Sequence, residues 1–137
     1  MKNIKSFLND FVRFMKNDEF FSSVKIIHAY PFNKKPERLA YPIVAVGFSQ
    51  IRLKPKHIGS NIKSGEISLF ADIYVPSKMK TDCIYDIMCH ICNAAGHMNA
   101  SSVFCDNTEY YKKAEAYITK IFITFNSEVS FGGENGE

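Results

Sequence analysis

Ile4, Phe7, Leu8, Phe11, Val12, Phe14 and Met15 recur at the three-and-four spacing that lines one face of a helix. The pattern predicts a first helix over about Asn3–Lys16, broken by Asn17-Asp18. Alternation by two then takes over in Ser23–Tyr30, Tyr41–Leu53 and Glu66–Val75, which read as strands. In the second of these, Ile43, Ala45, Gly47, Ser49, Ile51 and Leu53 fall on one face. Val44, Val46, Phe48, Gln50 and Arg52 fall on the other. Its first half is apolar on both faces and should be covered on both sides. Helical spacing returns over Thr81–His97 with Ile84, Ile87, Met88, Ile91 and Ala95 as the buried stripe. Thr81 or Asp82 suits the N-cap and Gly96 the C-terminal stop. Strands resume in Ala100–Asp106 and Ala114–Val129.

The expected fold is therefore α+β. It is a single domain over residues 1–131, a mainly antiparallel sheet of about five strands packed with two helices. The order is α-β-β-β-α-β-β, with a long hairpin between the second and third strands. Pro55–Gly65, the hairpin's connection, contains Pro55, Gly59, Ser60, Ser64 and Gly65 and reads as a loop of roughly ten residues, a length often functional. Residues 132–137, Gly-Gly-Glu-Asn-Gly-Glu, have nothing to bury and read as a flexible acidic tail.

Composition adds little to this class and removes several others. The chain has 137 residues, enough for one core without staples. Its 12 Phe and 7 Tyr suit sheet faces and subunit contacts alike. Apolar runs are only a few residues long, so no membrane span is expected. Charges throughout the first stretch argue against a secretory signal. The net charge of +3 is small but unevenly placed. Lys34, Lys35, Arg38, Arg52, Lys54, Lys56 and Lys63 lie between Pro31 and Gly65 with the single acid Glu37, whereas Glu128, Glu134 and Glu137 close the chain without a base. Solvated loop and solvated tail is the plain reading; complementary surfaces on neighbouring copies is the other.

No catalytic or metal motif accompanies the pattern. Cys89-His90-Ile91-Cys92, with Cys83 and His97 nearby, is the closest approach to one. At about 100° per residue, Cys83 and Cys89 point to different sides of their helix, and no second Cys-x-x-Cys completes a zinc site. Redox Cys-x-x-Cys pairs sit at a helix N-terminus, and this one is mid-helix. The four cysteines read as small apolar fillers of a reducing compartment. His28, His57, His90 and His97 lack a Ser, Cys or carboxylate partner at a known spacing, and the acids form no metal-binding pattern. The chain is expected to be no enzyme, with no cofactor and no metal. Arg52, Lys54, Lys56, His57 and Lys63 could meet phosphates without sequence preference, although no aromatics interleave them.

The element order, together with Tyr41-Pro42-Ile43-Val44 opening a strand and Glu109-Tyr110-Tyr111 through Ala114-Glu115-Ala116-Tyr117 before the last one, resembles the tail terminator proteins of long-tailed phages and phage-tail-like particles. The resemblance covers Met1 to about Phe131. It implies a structural subunit forming a homohexameric ring that caps the tail tube and ends its polymerisation. The ring's partners would be the tube protein, the head connector and, in contractile tails, the sheath, with DNA only as passing cargo and no membrane. Its place would be a virion or a headless bacteriocin particle, assembled in the bacterial cytoplasm. Such a ring needs two different complementary surfaces on each subunit. Arg52, Lys54, Lys56, His57, Lys63, Phe70 and Tyr74, the last two taken as exposed aromatics, are the expected contact residues. Another head–tail joining component, a tube subunit, or a small basic nucleic-acid-binding domain are the alternatives.

Overall fold

Asn3 opens the first helix by turning its side chain back on the chain, its Oδ1 accepting from the Ser6 N–H at 3.2 Å. α1 then spans Ile4–Lys16 and buries Phe7, Phe11 and Met15. In the computed structural model, which describes residues 2–29, 39–55 and 62–130, two helices and seven strands share one core. The strands are β1 (Lys2–Asn3), β2 (Lys25–His28), β3 (Ile43–Pro55), β4 (Ile62–Pro76), β5 (Ser102–Cys105), β6 (Glu109–Tyr111) and β7 (Ala116–Ser130). α2 (Asp82–His97) joins β4 to β5. The α+β class and the expected order hold. β1 and β6 are additions too short for alternation to reveal.

All seven strands form one sheet in the order β1-β7-β4-β3-β2. β7 is its organiser. One side of β7 pairs with β4 along the whole length, from Ile62↔Ser130 to Pro76↔Ala116. The other side is shared in series by β6, β5 and β1. β2 pairs with β3, and β1 with β7, in parallel; the other ladders are antiparallel. The expected acidic tail, 132–137, lies outside the described residues.

Both helices cover the same face. Phe11, Met15, Ile87 and Ile91 meet Val44, Val46, Leu69, Ile73, Ile121 and Ile123 in one cluster. A buried hydroxyl among these strands, Thr119, is satisfied by Thr108 across 2.7 Å. α2 ends later than its glycine suggested. The helix runs past Gly96, and Asn99 takes the left-handed conformation with φ 59°. Ala100 N–H donates to the Ala95 carbonyl and Asn99 N–H to that of Gly96, the paired bonds of a Schellman stop. Thr81 occupies the N-cap position without a side-chain hydrogen bond.

Two expectations about the hairpin need correction. The β3–β4 register shifts between Phe48 and Gln50, so Ser49 is an extra, bulged residue and every later side chain changes face. Ile51 and Leu53 therefore join the helix-covered face of Val44, Val46 and Phe48, and Gln50 and Arg52 join the other. The connection is also shorter than expected. β3 continues to Pro55 and β4 begins at Ile62, so Pro55 and Ile62–Gly65 are strand rather than loop. Because β7 accompanies β4 to Ile62, this arm has three strands, not two.

Candidate functional site

The face opposite the helices is organised in cross-strand rows, each fixed by register. Ile43, Tyr74 and Ile118 make an apolar row; Ala45, Asp72 and Lys120 follow; then Gly47, Phe70, Phe122 and Phe104 run across four strands. Next come Gln50, Ser68, Thr124 and Ser102, where Ser68 and Thr124 hydroxyls share a 3.0 Å hydrogen bond. Arg52, Glu66 and Asn126 form the next row, and Lys54, Ser64 and Glu128 the one nearest the end of the arm that β1 joins. One aromatic row thus lies between a charged row and a run of polar and charged rows, a mixture of aromatic and polar side chains of the kind found at interfaces.

Two features stiffen the aromatic row. Gly47 has no side chain, and a Cβ there would meet the Phe70 ring at 3.0 Å and the Ala29 Cβ at 3.2 Å. The ring therefore fills the glycine's vacancy, as aromatics do beside strand glycines. The Lys120 ammonium lies 4.7 Å from the Phe70 ring centre, 5.8 Å from that of Phe122 and 3.6 Å from Asp72 Oδ1. Phe104 packs on Phe122 with centroids 6.3 Å apart. Asp72, Tyr74, Asp106, Asn107 and Lys120 line a hollow of about 430 Å³ beside this row.

Of the residues expected from sequence, the bulge brings Arg52 and Lys54 onto the same face as Phe70 and Tyr74. Arg52 and Lys54 are exposed, and Arg52 sits opposite Glu66. Phe70 is half-buried. Tyr74 is not an exposed aromatic: at 3% accessibility it packs with Ile43 and Ala45, covered by Ile27, Leu39 and Ile118. Lys56 and His57 lie outside the described residues, and of Lys63 only the backbone, opposite Pro55 and Val129, is described. Lys120, Phe104 and Phe122 were missed. Only knowledge of which strands neighbour β7 would have gathered them.

A second constellation joins distant parts of the chain. His90 Nδ1 lies 2.6 Å from Asp18 Oδ2, and the Phe20 ring stacks on the imidazole at 3.9 Å. Asp18 also caps the 3-10 turn Glu19–Ser23, accepting from the Phe20 N–H at 3.0 Å. The His90 hydrogen bond, followed by the Phe20 N–H, holds its carboxyl below the usual aspartate range. A carboxylate-oriented imidazole is two parts of a general-base unit. The hollow around it is lined by Phe14, Asn17, Asn93, Ala94 and His97, and so offers no hydroxyl or thiol for the imidazole to activate. The pair acts as a clasp between the α1–β2 connection and α2.

Only Cys83 packs against the core as expected; the other three cysteines are not core fillers. Cys89, Cys92 and Cys105 are exposed and Cys83 is half-buried. Burial, then the neighbouring Cys105, pushes the Cys92 thiol up; burial, then Asp86, does the same to Cys83. Both shifts oppose thiolate reactivity. Among the described residues, no three His, Cys, Asp or Glu side chains converge as a metal site, and no helix is long and apolar enough to cross a membrane.

No protein-family model matches this chain, and a search of curated proteins finds no match.

Proposed function

We propose that this chain is a ring-forming subunit that caps a phage-type tail tube, ends its polymerisation and presents a surface for the head connector or the last sheath layer. The observation that supports this reading is the division of labour within one sheet. Both helices pack on a single face, leaving the opposite face with an aromatic row flanked by a charged row on one side and by polar and charged rows along a three-stranded arm on the other. A surface built that way suits repeated contact with like subunits and with a tube end. In this reading it works through shape and charge, and its side chains hold contacts rather than carry out a reaction.

The test mixes purified protein with assembling tail tubes and measures tube length by negative-stain microscopy, alongside the native mass of the protein alone. A ring of discrete mass and tubes of fixed length are expected. Tubes of uncontrolled length in its presence would overturn the reading. A monomer that shifts DNA mobility in a salt-dependent way, without effect on tubes, would move it to nucleic-acid binding.

A further inference from the structure

The sheet has two outer edges, and they differ in kind. At one, β5 pairs with β7 and, among the described residues, with nothing else, so its outward N–H and C=O groups have no strand beside them. All four of its residues are exposed. Natural edge strands are commonly blunted by lysine, proline or a bulge, and Ser102–Cys105 contains no such residue or irregularity. It offers Val103 and Phe104 instead, with Phe104 61% exposed.

The surroundings of this edge are aromatic. Seven large apolar or aromatic side chains stand exposed among the described residues, and four of them, Tyr85, Val103, Phe104 and Tyr110, belong to β5, β6 and the flank of α2 turned from α1. Cys92 on that flank neighbours Cys105 of β5, which links Tyr85 with Val103 and Tyr110 on the helix side, while Phe104 stands on the open face. Exposed tyrosine and phenylalanine around an unpaired strand is the composition of an interface core.

Among the described residues, β2 forms the opposite edge, also four residues long. Beside it, on the helix side, Phe20, Val24, Tyr41 and Met79 line a groove of about 710 Å³. The two edges carry opposite charge. β5, β6 and the turn between them hold Asp106 and Glu109 and no base, while β2 holds Lys25 and no acid.

We propose that the β5 edge of one copy adds to the β2 edge of a second copy, head to tail, continuing the sheet across the boundary. Val103, Tyr85 and Tyr110 then face the Phe20–Tyr41 groove of the neighbour, and Asp106 faces its Lys25. A second copy is the occupant because the same chain supplies an edge of matching length, opposite charge and a receptive groove. Two-fold pairing of β5 with β5 would instead bring two acidic edges together. Joining opposite edges makes a heterologous contact, which closes as a ring or runs on as a filament. The inference names the contact that the ring reading needs, and it stands or falls on its own measurement.

That measurement is native mass over a concentration series for wild type, Phe104→Asp and the β2 variant Lys25→Glu/His28→Glu. All three positions are exposed, so unchanged melting should accompany each substitution. Wild type is expected to assemble, and each variant to associate at least tenfold more weakly. Mixing the two variants should restore a 1:1 complex and nothing larger, because each retains the one surface the other lacks. A monomeric wild type, an assembling Phe104→Asp, or a mixture without the pair would overturn the proposal. Rings that assemble through these edges yet leave tubes uncapped overturn the tail reading alone. Capping rings indifferent to Phe104→Asp overturn the edge contact alone.

Discussion

Along β7, side chains one residue apart enter two different environments. Ile121, Ile123 and Phe125 are buried beneath the helices, while Lys120, Phe122 and Thr124 stand half-exposed on the other side. The covered face is nearly uniform in chemistry. Its residues come from both helices and from β3, β4 and β7, and what matters there is volume and close packing. The open face is heterogeneous, and its residues are sorted by register into rows. Covered surface is thus specified by volume and close packing; the open surface is specified row by row through strand register.

That contrast predicts a gradient of effects. Phe11 lies at the centre of the covered side with no accessible surface, so Phe11→Ala should cost about 3–5 kcal/mol and leave little folded protein at 37 °C. Phe122→Ala, half-exposed on the other face, should cost well under half of that in a denaturant titration. If the two substitutions cost the same, the open face is as structural as the covered one.

Gly65 tests the arm that both faces share. Its φ is +154°, and a Cβ there would collide with the Arg52 carbonyl oxygen and lie 3.0 Å from its carbon and 3.1 Å from Leu53 Cα. Gly65→Ala should cost about 1–3 kcal/mol and raise hydrogen exchange in 51–55 and 62–66 while α1 stays protected. Uniformly raised exchange would mean the arm is not a separate unit.

Asp18→Asn sharpens the comparison through pH. Because the folded-state carboxyl titrates below the ordinary aspartate range, the clasp with His90 contributes stability above about pH 4 and loses it as pH falls through the depressed value. Wild type should therefore exceed Asp18→Asn in melting temperature at neutral pH, and the gap should close on acidification. A gap that widens in acid would reverse the assigned direction.

The smallest effects belong to exposed side chains on either side of the sheet. Lys120→Gln removes a cation from above two rings and should cost about 0.5–1 kcal/mol. Cys89→Ala and Cys92→Ala should stay within about 0.5 kcal/mol, since both thiols are exposed. Larger losses in a thermal melt would mean that these thiols pack against something in an assembly.

Element types and most of the core were legible because each depends on a local period. Ile84, Ile87 and Ile91 announce a helix face, and Ile67, Leu69, Ala71 and Ile73 a strand face, without reference to anything else. What failed was decided between strands or between distant segments. One bulged residue, Ser49, reassigned Ile51, Arg52 and Leu53, because a period of two carries no memory of an insertion. Tyr74 looked exposed by alternation and is covered from β2, β7 and Leu39. His90 found its carboxylate in Asp18, 72 residues away, beyond the reach of spacing rules. The aromatic row was invisible for the same reason: Gly47, Phe70, Phe104 and Phe122 share nothing in the linear chain.

The placement of β1 has a consequence for timing. Lys2 and Asn3 pair with Val129 and Ser130, so β1 can find its partner only after β7 has emerged from the ribosome. β4 and β5 likewise wait for β7. Until then α1 has its apolar stripe but only part of the sheet it covers, and the hairpin of β3 and β4 has one open side. Such long-range closure slows folding and favours completion after synthesis. A nascent chain stalled before residue 116 should accordingly remain protease-sensitive, and a chain released through Ser130 should become resistant in one step. The β5 edge would then be complete only once its support, β7, is in place, since both are assembled last.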